Sequence, residues 1–202
     1  MRKGTDRLLW GLAFLILISV SVSCKKKISN NADLMEYISN PENGLVKTVE
    51  INKIKAELRY KPWQLMSVNQ NKIQKQATEN AEIAMRNKYF FVLSLSANDK
   101  ELLRQLPFNQ YSEMVQVLAF RMMNYISLMP DDKKPIVPEG CLFQQTYGMA
   151  HANQLLIIFD KTKLETAKQL KIKIKEFGLR IGDLNFQINN KDIQDLPDPI
   201  IN

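Results

Sequence analysis

From Ile54 to Tyr60 every second residue is apolar: Ile54, Ala56, Leu58 and Tyr60 alternate with Lys55, Glu57 and Arg59. Successive side chains of a strand point to opposite faces, so this is the pattern of a strand with one buried face and one wet face. The period of two returns at Leu170, Ile172 and Ile174 against Lys171, Lys173 and Lys175, and again at Leu184, Phe186 and Ile188 against Asn185, Gln187 and Asn189. Half-buried strands belong to antiparallel sheets, because parallel sheets are covered on both faces. Val46 to Ile51 is a further strand, and Asn52-Lys53 between it and Ile54 predicts a two-residue hairpin. Tyr89 to Leu95, Y-F-F-V-L-S-L, is apolar on both parities and reads as a central strand covered on both sides. Gln154 to Asp160, containing L-L-I-I-F, reads the same way, with Cys141 to Tyr147 as its partner through G-M-A-H-A-N.

Helical spacing occupies two stretches between these strands. Pro62 suits a first helical position. From Trp63 to about Arg86, Met66, Ile73, Ala77, Ala81 and Ala84 share one face, which predicts an amphipathic helix packed on a sheet. Tyr111, Met114, Val115, Leu118, Met122, Tyr125, Ile126 and Met129 keep helical spacing over almost five turns. Asn98 with Glu101 three residues on resembles a capping box opening a short helix that ends before Pro107. N-P-E-N-G at 40 to 44 is turn chemistry with Gly44 free to take positive φ, and 130 to 140, with its P-x-x-P segment, is a stiff surface loop. Strands and helices are segregated rather than alternating. The expected fold is therefore α+β: a mostly antiparallel sheet of about six to seven strands covered by two longer helices. A doubly wound α/β sheet is the alternative.

The N-terminus carries a different signal. Arg2, Lys3 and Arg7 precede an apolar run from Leu8 to Val20, the proportions of a secretory signal peptide. The uncharged stretch Leu8 to Ser23 has 16 residues, about 24 Å as a helix against a hydrocarbon core of about 30 Å. A full span is disfavoured, and the lysines at 25 to 27 put positive charge on both flanks. The run ends V-S-C at Cys24. These residues resemble a bacterial lipoprotein signal peptide and its lipobox, with Ser21 where that family prefers leucine. An ordinary cleaved signal and an uncleaved anchor are the alternatives. The resemblance implies a signal peptide over 1–23 and a lipidated Cys24, and the expected organisation continues with a short polar tether to residue 40 and one α+β domain over 41–202. Several acyl chains, at about 0.8 kcal/mol per buried CH₂, would hold such a protein stably. Lys25, Lys26 and Lys27 would lie at head-group level. Some Gram-negative groups mark surface export with acidic residues after the cysteine, so the lysines here favour the periplasmic face of the outer membrane.

The formal net charge is +7, spread along the chain without an arginine cluster interleaved with aromatics, so no nucleic-acid partner is expected. Lys171, Lys173 and Lys175 form the one directional patch, on the sheet face opposite the apolar residues, and are a candidate contact for an anionic surface. Two cysteines make no disulfide framework, and Cys141 reads as a small buried hydrophobe. His151 is the only histidine. A catalytic role for it would need Asp160, Glu139 or Tyr147 brought near by folding. Asp131, Asp132 and Glu139 share the proline loop without the aromatic platform of a glycosidase. No nucleophile elbow, Walker A, dinucleotide-binding or H-E-x-x-H motif occurs, and no catalytic residue, metal ligand or cofactor is assigned.

The signal peptide, N-P-E-N-G-L with a hairpin ending R-Y-K-P, and F-Q-Q-T-Y-G before an apolar strand ending F-D are similar to uncharacterised lipoproteins of Bacteroidota-type envelopes. That resemblance implies lipidation at Cys24 and brings no activity with it. The expected function is a lipid-anchored, non-enzymatic envelope protein that binds another protein as an accessory subunit of an outer-membrane assembly or secretion machine. A ligand-binding or immunity-type lipoprotein is the alternative, and a hydrolase around His151 a third.

Overall fold

The computed structural model describes residues 28–66 and 75–197. Cys24, Lys25, Lys26, Lys27, Ile73 and Pro199 lie outside them, as does the whole of the expected signal peptide. The fold is α+β, with all strand pairings antiparallel and two sheets rather than one.

The chain enters through Ile28, which is buried, and helix α1 (Asn31–Ser39). Asn30 caps α1 by accepting the Asp33 N–H at 2.9 Å, and Asp33 complements the dipole of the first turn. Leu34 and Ile38, one turn apart and each 1% exposed, fix the helix to the core. Residues 31 to 39, expected as tether, are thus part of the packed domain. Only Leu34 and Ile38 are buried in nine residues, so the apolar face is too narrow and the helix too short to stand out from a linker in the sequence. Gly44 takes φ 75° after a one-turn 3₁₀ segment at 41–43, and a Cβ there would collide with the Asp192 carboxylate.

Strands β1 (Val46–Ile51) and β2 (Ile54–Lys61) form the expected hairpin. Asn52 and Lys53 both have positive φ, 52° and 66°, as a primed turn demands. β2 pairs with the central strand β3 (Lys88–Ala97), and β3 with β7 (Asn153–Asp160), which carries β6 (Gly140–Gln144) on its far side. The two-residue β4 (Lys100–Glu101) extends the β7 side of β3 beyond the end of β7. Register places Leu58, Leu93 and Leu155 in one inner row and Tyr60, Phe91 and Ile157 in the next. Tyr60 meets Tyr89 and Phe91 edge to face at centroid distances of 5.6 and 5.7 Å. On the outer face of β3, Phe90 and Ser96 are buried while Val92 and Ser94 are half-buried.

The second sheet has the order β5 (Ile126–Pro130), β8 (Gln169–Ile174), β9 (Leu184–Asn189). Its inner face, with Leu128, Ile172 and Phe186 in one row, joins the same core cluster as the larger sheet.

Three helical expectations are corrected. The segment from Trp63 is a 3₁₀ turn to Leu65, and helix α2 covers only Lys75–Arg86. Ala81, Ile83 and Ala84 of α2 are exposed, so these two alanines reflect helix propensity rather than packing. Arg86 bonds Glu82 one turn back and stacks over Trp63 at 4.5 Å. Asn98 and Asp99 do not cap a helix: both have positive φ (51° and 56°) and turn β3 into β4, and only a 3₁₀ segment at 102–105 precedes Pro107. Helix α3 (Phe108–Gln116) passes through π geometry at 117–121 and a 3₁₀ turn at 122–124, burying Met114, Val117, Leu118 and Met122. Ile126 to Met129, the expected last turn, belong to strand β5. A short helix α4 (Asn190–Gln194) closes the described chain.

Candidate functional site

Strand β3 has two ends, and each opens on a cleft. At its start, Tyr60, Tyr89, Trp63, Lys161 and Leu34 line a narrow space of about 180 Å³. The Tyr89 hydroxyl donates to Asn190 Oδ1 at 2.9 Å, and Asn190 Nδ2 donates to the carbonyls of Leu164 and Ala167. Asn190 is fully buried with each amide group engaged, so the network ties α4 and the 161–167 turn to the sheet. Burial pushes the Tyr89 hydroxyl up to about 12, with the Glu165 charge adding to it and the Asn190 bond opposing it. Burial also raises Tyr60, with Tyr89 beside it. Both hydroxyls stay protonated at neutral pH, and that of Tyr89 serves as a structural donor.

At the other end, the β3–β4 turn, the 3₁₀ segment and the 145–152 loop surround an open cleft of about 580 Å³. Its organiser is Glu101. The carboxylate is buried at the end of β4, where Oε1 accepts from the Thr146 hydroxyl and from Ala150 N–H at 3.2 Å, while Oε2 accepts from Gly148 N–H at 2.8 Å. Burial raises its pKa. The Thr146, Ala150 and Gly148 bonds and the Arg104 charge outweigh burial, so the carboxyl titrates below its ordinary value. Arg104 Nη2 donates to the Tyr147 carbonyl at 2.8 Å from the outside of the same loop. Gly148 is required here twice over: its φ is 89°, and a Cβ would lie 3.0 Å from Arg104 Nε. Clamped in this way, the loop holds Tyr147 and Met149 out at 66% and 86% exposure.

His151 lines this cleft with its Nδ1 3.3 Å from the Asp99 carbonyl. Of its three sequence-suggested partners only Tyr147 shares the cleft. Asp160 lies at the far end of β7, where it caps the 161–163 turn, and Glu139 pairs with Lys88 there at 2.7 Å. The other carboxylates of the proline loop have structural tasks. Asp131 accepts the backbone N–H groups of Lys168 and Gln169, and Asp132 pairs with Lys171 at 2.7 Å. Glu176 is wrapped by its own loop, accepting from the N–H groups of Gly178, Arg180, Ile181 and Gly182. Burial raises its pKa, and those four bonds carry it below the ordinary value. Among the described residues no three His, Cys, Asp or Glu side chains gather as metal ligands, and no helix is long and apolar enough to cross a membrane.

The lysine ladder of β8 lies on the face expected. Its charge is largely answered, because Lys171 faces Asp132 and Lys173 pairs with Asp183 at 2.8 Å, leaving Lys175 exposed. Lys53 and Lys100, at the turns beside the larger cleft, make no ion pair among the described residues. With Arg104 they form the cationic end of the larger sheet. Sequence reasoning missed them because they come from separate segments that only the register of β2, β3 and β4 brings together. Cys141 stands in the inner row beside Ile157, half-buried on the outlying strand β6 rather than fully buried as expected, and its partial burial pushes the thiol up to about 12.

Comparison with protein-family models gives no match, and no curated protein is significantly similar to the chain.

Proposed function

We propose that the chain is a lipid-anchored, non-enzymatic protein of the cell envelope, held at the periplasmic face of the outer membrane through Cys24. Its α+β domain binds another protein, as an accessory subunit of an outer-membrane assembly or secretion machine. The observation that carries most weight is the packing of Ile28 and α1 into the core. Only Lys25, Lys26 and Lys27 separate Cys24 from the folded domain, a reach of about 14 Å when fully extended. An acylated cysteine would seat this domain directly on the head groups, where the three lysines meet anionic lipid. The engagement of Glu101, Glu176, Asp131, Asp132 and Glu139 in structural bonds also supports a binding role over a hydrolytic one.

Intact mass spectrometry of the mature protein, with membrane fractionation of a Cys24→Ser variant, tests the anchor. The expected result is an N-terminal acylated Cys24 in the native protein and an unprocessed or released Cys24→Ser variant. A variant that is fully processed and still membrane-bound overturns it. The larger cleft favours a second reading, a ligand-binding lipoprotein, for which binding of a small molecule to the isolated monomer is the distinguishing result.

A further inference from the structure

We infer that the end of the larger sheet bearing Lys53, Lys100, Arg104, Tyr147, Met149 and His151 is a docking surface for an acidic segment of a partner protein that carries an apolar anchor residue. This rests on the protein-binding reading above and deepens it.

Placement comes first. Ser39, at the end of α1, accepts from Arg59, while Leu34, nearer its start, lines the cleft with Pro62 and Trp63. Going back along α1 therefore leads past the end of β2 and away from the β3–β4 turn. From Tyr89 to Ala97, β3 spans eight steps of about 3.3 Å, or about 26 Å. The chain's entry and the larger cleft lie at opposite ends of the sheet, so a domain tethered through its N-terminus points this end away from the bilayer. Its exposed apolar residues are then unavailable to the anchoring membrane.

Composition comes second. Tyr, Met and Arg are the residue types enriched at protein interfaces. Phe108 and Phe120 are as exposed, but they line neither cleft. Tyr147 and Met149 differ in standing on a loop fixed by a buried carboxylate and an arginine, so presenting them costs little ordering on binding. Charge comes third. Glu101 is buried behind the loop with the Arg104 charge set against it, and Asp99 is the one exposed acid lining the cleft, against Lys100 and the neighbouring Lys53, neither of which has an ion-pair partner among the described residues. That balance attracts a carboxylate-bearing segment and repels a basic one.

The test uses the full chain in zwitterionic nanodiscs with ¹³C-labelled methionine methyls. The titrants are a synthetic peptide alternating glutamate with leucine and phenylalanine, its lysine counterpart, and phosphatidylglycerol vesicles. The acidic peptide is expected to shift the Met149 methyl with affinity that falls as salt rises. A Lys53→Glu, Lys100→Glu double variant, which leaves the Arg104 clamp in place, should weaken binding at least tenfold, with the buried Met114 and Met122 methyls unmoved as proof of folding. Lys171→Glu should bind as the native chain does. Equal binding of the lysine peptide, a Met149 response to vesicles in place of the acidic peptide, or no binding by any titrant each overturns the assignment. The titration is indifferent to acylation, so its failure is separable from failure of the anchor.

Discussion

Replacing Glu101 with glutamine swaps one carboxylate oxygen for an NH₂ group at nearly constant volume. Oε1 can still accept from Thr146 and Ala150, but the amide then faces the Gly148 N–H with a donor. One buried bond to a charged group is lost and two donors are left opposed, a cost of about 2 kcal/mol by the usual worth of such bonds. For a domain of this size that is a fall in Tm of about 4–8 °C. Calorimetry at pH 7 reads it, and hydrogen exchange at Gly148 and Ala150 localises it, since the loop should open without the rest of the sheet. The pH dependence supplies a second reading. Because the folded carboxyl titrates below its ordinary value, its stabilisation is complete above about pH 4.5 and is lost as pH falls through the folded pKa. The native chain and Glu101→Gln should therefore converge in stability in acid. A variant within 1 °C of native at pH 7, with unchanged exchange at Gly148, would refute the clamp.

Leu34→Ala should cost about 2–5 kcal/mol in chemical denaturation, because Leu34 is fully buried; a surface-like loss below 0.5 kcal/mol would return residues 31–39 to the role of tether. Lys53→Gly places glycine at a φ of 66° and should stabilise by roughly 0.5–1 kcal/mol, read as an upward shift in Tm; a drop would mean that the Lys53 side chain holds the turn. Tyr89→Phe leaves the Asn190 acceptor unanswered and should destabilise by about 1–3 kcal/mol, with faster exchange in α4. Cys141 is half-buried with a raised thiol pKa, so it should react with iodoacetamide at pH 8 more slowly in the native protein than in the unfolded chain, and labelling at the unfolded rate would contradict that placement.

The strands were legible wherever a single period ruled. The β1–β2 hairpin and the β8–β9 pair follow from alternation, whereas β7 was legible as an apolar run expected to be covered on both sides, and only its inner face proves fully buried. The long helical stretch was overread because Ile126 belongs to both periods: it continues the Leu118, Met122 spacing, yet with Leu128 and Pro130 it also opens a strand. Pairing with β8 decides between them, and β8 lies more than forty positions away. A separation of 39 positions hid the acid that answers Lys171, since Asp132 reaches it only through the fold. Glu101 had a signal, three residues after an asparagine, but two positive-φ residues turned that spacing into a hairpin instead of a helix cap. Nothing local marks it as the anchor for a loop 45 positions further on.

The registers also order the assembly of the sheet in time. β1 and β2 meet across a two-residue turn, and β2 reaches β3 through the segment that holds α2, whereas Leu95 and Asn153 are 58 positions apart when they pair. Closing that loop costs on the order of 3 kcal/mol more chain entropy than closing the hairpin. The hairpin with β3 is thus the natural nucleus, and β7 is recruited late, bringing β6 as a preformed partner. Until it arrives, one edge of the largely buried strand β3 is open. Substitutions in the β7 half of that pairing should speed unfolding, while those in the hairpin should slow folding.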